Sequence, residues 1–174
     1  MRILLANHVP FDDPEAGPQT RELADRWREA GDRPRCLIVD RHEGEHDRLD
    51  VRRVLCRRDD PRAELPFDVP CLTNQASTRL TFGDLTDRQL ACYREALRRS
   101  LDAEIAHFNP HLIHVQHIWL LGHLALEAGV PYLLAAHGPE LAAYRADARF
   151  RRFADEAAEN AGRIVVARET EEKG

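Results

Sequence analysis

Two short segments, far apart in the chain, carry residues suited to handling a polar ligand. In Tyr132–Ala136 an apolar run ends on His137, Gly138 and Glu140; near the start, Ile3–Ala6 is followed by a turn containing Gly17, Pro18 and Gln19. A histidine at the end of a buried strand projects into the crevice at the sheet edge. There it can hydrogen-bond a sugar hydroxyl or stabilise charge, or it can simply satisfy a helix end or a backbone carbonyl. The glycine beside it lets the backbone turn sharply or approach a ligand closely. Pro18 suits a first helical turn, whose free N–H groups favour anions. In a parallel sheet both turns open on one edge, the edge at which open α/β sheets bind ligands.

His107, His111, His114, His117 and His123 crowd one stretch and invite a metal site. Their spacing argues against one: strand alternation sends His114 and His117 to opposite faces, and neither a zinc-protease nor a Cys/His finger pattern is present. His117, at a strand end, remains a crevice residue. The glycine turn is not G-x-G-x-x-G, so a dinucleotide fingerprint is missing, as are a G-x-S-x-G elbow and a Walker lysine.

The elements that must hold these residues alternate. Ile3–Ala6, Cys36–Val39, Val51–Leu55, Leu112–Val115, Tyr132–Ala136 and Arg163–Ala167 are strands. Leu23, Ala24, Trp27 and Ala30 recur at helical spacing, and Gly31 ends that helix. Thr86-Asp-Arg-Gln89 is a capping box opening the longest helix, with the stripe Leu90, Tyr93, Leu97, Leu101, Ile105 and Phe108, stopped by Asn109-Pro110. A short helix covers about Leu120 to Ala128, a polar helical stretch follows Gly138, and Phe150, Phe153, Ala154 and Ala157 mark an amphipathic one. Arg57 to Thr86, with three prolines, reads as a loop over the ligand edge. Strands and helices alternating in this way specify an α/β fold, a Rossmann-like doubly wound, mainly parallel sheet flanked by helices, as a single domain over 1–174.

Composition narrows the function. With 25 basic and 30 acidic residues the net charge is -5, interspersed along the chain, so nucleic acid is an unsuitable partner. Lys173 is the only lysine, a bias that reflects a GC-rich genome. No apolar run approaches the roughly 18 residues of a membrane helix and no signal peptide is recognisable, so the expected location is the cytoplasm, with Cys36, Cys56, Cys71 and Cys92 reduced. The charged run Arg168–Gly174 reads as the first turn of another helix, as in a protein cut short.

In order and spacing, the opening Met1-Arg-Ile-Leu-Leu with its glycine turn, the helix Thr20 to Ala30, Asn109-Pro-His-Leu-Ile-His-Val-Gln-His117, Ala136-His137-Gly138-Pro-Glu140 and Arg163-Ile-Val-Val-Ala167 form a pattern. In this the chain resembles the N-terminal, acceptor-binding half of a retaining glycosyltransferase of family 4, whose GT-B architecture sets two Rossmann-like domains face to face. The resemblance implies that Gly17 lies near the acceptor and the donor diphosphate with Gln19 as a polar neighbour, that His137 sits by the donor sugar and assists transfer, and that His117 lines the cleft. Gly138 and Glu140 would shape the acceptor site. Ala16-Gly17 stands where the family usually has Gly-Gly. It implies no metal and no cofactor beyond a nucleotide-sugar co-substrate. The family's E-x7-E motif belongs to a C-terminal donor-binding domain, and no two glutamates here are eight positions apart. Such a domain would have to come in cis or in trans, and the chain alone should not turn over. A naturally short subunit of a split enzyme and a non-catalytic sugar- or partner-binding module are the alternatives, and peripheral membrane contact stays open.

Overall fold

The computed structural model describes residues 1–14, 16–44, 49–72 and 80–166. Among the described residues the strands and α-helices follow in this order: β1 (Arg2–Asn7), α1 (Ala16–Glu29), β2 (Arg33–Asp40), β3 (Val51–Leu55), α2 (Asp87–Phe108), β4 (Leu112–Val115), α3 (Leu120–Ala128), β5 (Tyr132–Ala136), α4 (Gly138–Ala146), α5 (Ala148–Asn160) and β6 (Arg163–Val166). The six strands form one sheet, ordered β3-β2-β1-β4-β5-β6. Every pairing is parallel. The chain is therefore an α/β Rossmann-like domain, and its strand order reverses between β1 and β4, the kind of switch point at whose C-terminal edge open α/β sheets bind ligands.

Alternation splits the buried side chains between two faces. Leu4, Ala6, Leu37, Val39, Ile113, Val115 and Leu134 face α2, α3 and α5. Ile3, Leu5, Cys36 and Ile38 face α1 through Ala24, Leu23 and Trp27. Ala30, counted with that apolar spacing, is exposed just past the helix. Each fully buried aliphatic side chain contributes about 1.5–3 kcal/mol. Helix α2 starts as its capping box requires: the Thr86 N–H donates to Gln89 Oε1 at 3.0 Å and the Gln89 N–H to Thr86 Oγ1 at 3.3 Å. It ends at Asn109, which takes the left-handed conformation at φ 48°. Its stripe is buried from Leu90 to Leu101, whereas Ile105 and Phe108 are half-buried. Buried Glu104 pairs instead with Arg35 of β2. Gly122 of α3 lets three elements close up, since a Cβ there would meet Leu134 at 3.0 Å and Ala157 at 3.2 Å.

The segment between β3 and α2 is more than a loop over the edge. Leu65, Phe67, Val69, Phe82 and Leu85 join the core, and isolated parallel bridges tie Cys56 to Leu65 and Cys71 to Thr81. The alternation Leu65-x-Phe67-x-Val69 explains this, because each second residue turns inward even with Pro66 between them. Arg149 of α5 fastens the end of the strap by donating to the carbonyls of Leu85 and Gly83, at 2.8 and 3.2 Å. The first-turn reading of Arg168–Gly174 and the inclusion of Ala167 in β6 lie outside the described residues.

Candidate functional site

Register builds the site. Ala6 of β1 pairs with Val115 of β4, and Val115 with Leu134 of β5. His8 and His117 each lie two residues beyond the Ala6–Val115 pair, and His137 three beyond Leu134. Three histidines from the ends of three adjacent strands thus meet at the topological switch point. The His117 and His137 rings are 5.0 Å apart, and those of His8 and His117 are 6.0 Å apart.

His8 is 1% exposed. Its Nδ1 shares a hydrogen bond of 2.9 Å with the Tyr93 hydroxyl from α2, and its ring touches Phe82 and Trp119. Burial, then the neighbouring His117, pushes its pKa well below the ordinary histidine value. Burial likewise raises the Tyr93 phenol. The two therefore form a neutral pair, and His8 Nε2 is enclosed without a hydrogen-bond partner. Trp119 stacks on Phe150 at 3.9 Å, and Phe82 packs edge-on against it at 4.5 Å. This aromatic wall backs His8.

His137 is half-buried. Its pKa is lowered by burial first and His117 second, against an opposing pull from Glu140. Glu140, in the first turn of α4 and 3% exposed, joins the two loops. Its Oε1 accepts from the Ile118 N–H at 2.7 Å and its Oε2 from the His137 N–H at 2.8 Å. Oε1 also lies 3.3 Å from His117 Nδ1, an ion-pair distance without the alignment of a hydrogen bond. His114 sits on the other face of β4, beside Trp27. Burial, helped by His137, lowers its pKa to about 4.

The other expected residues lie on α1 and at the start of α4. Gly17 stands in the first turn of α1, and the space a Cβ would need is filled by the Phe11 carbonyl oxygen, 2.2 Å away. The glycine is thus required by the chain's own loop. Gln19 is exposed on the same turn, and Gly138 is exposed at the start of α4. His107 and His111 are exposed, and His123 is bound to Glu156 at 2.7 Å on the α3–α5 side. No three His, Cys, Asp or Glu side chains among the described residues are placed to hold a metal ion.

Sequence reasoning passed over His8. The signal was present in Asn7-His8, polar residues directly after an apolar strand, the pattern that singled out His137. What the row offers chemically is uncharged imidazoles at His8 and His137, suited to hydrogen bonds with hydroxyl groups, next to one fixed carboxylate.

No protein-family profile matches the sequence, and no curated protein matches it. Solved structures do resemble it. Sucrose-phosphate synthase from Thermosynechococcus elongatus superposes with a TM-score of 0.60 at 15% identity, over 94% of this chain and 41% of that one. MurG from Acinetobacter baumannii gives 0.54 at 9% identity, over 97% of this chain and 42% of that one. The domain thus has the Rossmann-like fold found in GT-B glycosyltransferases. It spans about two fifths of the length of those two solved chains. Among the described residues no helix is long and apolar enough to cross a membrane.

Proposed function

We propose that this chain is the acceptor-binding N-terminal domain of a nucleotide-sugar-dependent retaining glycosyltransferase of family 4. It transfers a sugar only together with a C-terminal donor-binding domain, supplied in cis or in trans. The observation that carries this reading is the row His8, His117 and His137 at the switch point of a fold shared with GT-B enzymes. In it His137 contacts the donor sugar as a neutral hydrogen-bonding group, while His117, Gly138 and Glu140 shape the acceptor side. Gly17 and Gln19 border the site from α1. Positive groups that stabilise the leaving diphosphate come from the other domain, and no metal or further cofactor takes part. The four free cysteines suit a cytoplasmic location.

A split enzyme, with this chain as a separate subunit, is the second reading. Leu141 on α4 and Ile164, Val165 and Val166 on β6 are large apolar side chains left exposed, which favours contact with further polypeptide in either arrangement. The test is nucleoside-diphosphate release from a panel of nucleotide sugars by the complete native assembly. Turnover that needs both the donor domain and His137 supports the reading, and turnover indifferent to His137→Ala removes that residue from the mechanism.

A further inference from the structure

Glu140 is fixed through both atoms of its carboxylate, because each oxygen accepts a different backbone N–H, from Ile118 and from His137. It cannot turn away from His117 without leaving one of those part-buried donors unpaired. His117 Nδ1, 3.3 Å from Oε1, is enclosed and meets no other partner. If that nitrogen carried its lone pair, the pair would lie about as close as the carboxylate oxygen at 3.3 Å allows, negative density beside negative charge. A proton on Nδ1 turns the repulsion into attraction. The remaining groups facing His117 are the rings of His8 from the end of β1 and His137 from the end of β5.

We propose that Glu140 is a positioning residue that fixes His117 as the Nδ1–H tautomer, so that Nε2 accepts a hydrogen bond from a hydroxyl group of the bound ligand. The first half of this inference is independent of what the protein does; the second rests on reading the crevice as the sugar site. A histidine's two nitrogens are set by whichever partner one of them finds, and here the partner is a carboxylate that two loops hold in place.

The tautomer is read from long-range 1H–15N spectra of the histidine-labelled 174-residue chain. They are recorded at about pH 8, where imidazoles are neutral. His117 should be in the Nδ1–H form, and Glu140→Gln should move the ratio toward Nε2–H by about threefold or more, because the charge 3.3 Å from Nδ1 is gone. A wild-type His117 in the Nε2–H form overturns the inference without any variant, so a Glu140→Gln protein that fails to fold does not shelter it. An unmoved ratio in a folded variant overturns it as well. In the complete enzyme, His117→Gln, which keeps an acceptor near the Nε2 position, should hold KM closer to wild type than His117→Asn. Equal KM values with the expected tautomer would refute the hydroxyl contact alone, and absent turnover in the wild-type assembly would refute the proposed function and leave the tautomer standing.

Discussion

Replacing Gly17 with alanine separates two reasons for a glycine at the start of α1: room for a ligand, or room for the chain itself. A Cβ at this position would lie 2.2 Å from Phe11 O, 2.8 Å from Phe11 C and 3.2 Å from its Cα. All three are backbone atoms, so no rotamer change relieves the overlap of about 1 Å relative to ordinary contact. The 8–14 turn must move as a unit. That movement loosens the Arg21 Nη1 bond to the same Phe11 oxygen, now 2.6 Å, and the Gly17 N–H bond to the Asp13 carbonyl, now 3.1 Å. Overpacking costs about 1–3 kcal/mol and a weakened hydrogen bond about 1 kcal/mol, while alanine regains up to about 1 kcal/mol as the better helix former. The net loss is about 2 kcal/mol, and at 2–4 °C per kcal/mol for a domain of this size the melting temperature should fall by about 4–8 °C. Thermal unfolding followed by circular dichroism of the ligand-free chain measures it, with Gly44→Ala, where a Cβ meets nothing within 4 Å, as the neutral control. A Gly17→Ala chain that melts within about 1 °C of wild type would refute the reasoning and return the glycine to a ligand.

Three further outcomes follow from the buried imidazoles and the crevice. His114 has a folded pKa of about 4 against about 6.5 in the unfolded chain, so below pH 6.5 the unfolded state binds the extra proton. Stability should be full above that pH and decline by about 3 kcal/mol as pH falls toward 4; a urea series across this range should show it, flattened in His114→Leu. Tyr93→Phe leaves His8 Nδ1 buried without its partner and should lower the urea-derived stability by about 1–3 kcal/mol, and a change under about 0.5 kcal/mol would sink the pairing. His137→Ala, at a half-buried position, should keep stability within about 1 kcal/mol while abolishing most transfer in the complete enzyme, measured by diphosphate release beside a melting curve.

The strands and helices were legible because their signals are local. The buried runs at 112–115 and 132–136, the Thr86–Gln89 box and the stop at Asn109 each reside in a handful of consecutive residues, and the structure places all of them where the pattern did. The strap before α2 was read only in part, since prolines mask the alternation that sends Leu65, Phe67 and Val69 inward. The candidate site was legible one strand at a time: His117 and His137 stood out at the ends of apolar runs. Their nearness, and the arrival of His8, depend on the register of three parallel strands and on the order in which those strands lie.

Glu140 marks the same boundary from the other side. In sequence it is a polar residue after a histidine and a glycine, equally suited to solvent, to a ligand or to a helix N-terminus. Only the pairing of β4 with β5 brings the Ile118 N–H within its reach. Once there, it has more to gain from two backbone donors and one imidazole than from water, because at 3% exposure an unpaired carboxylate would bear a desolvation cost of several kcal/mol. The sheet therefore sets the carboxylate, the carboxylate sets the orientation of two loops, and those loops carry the two histidines on which the proposed chemistry depends.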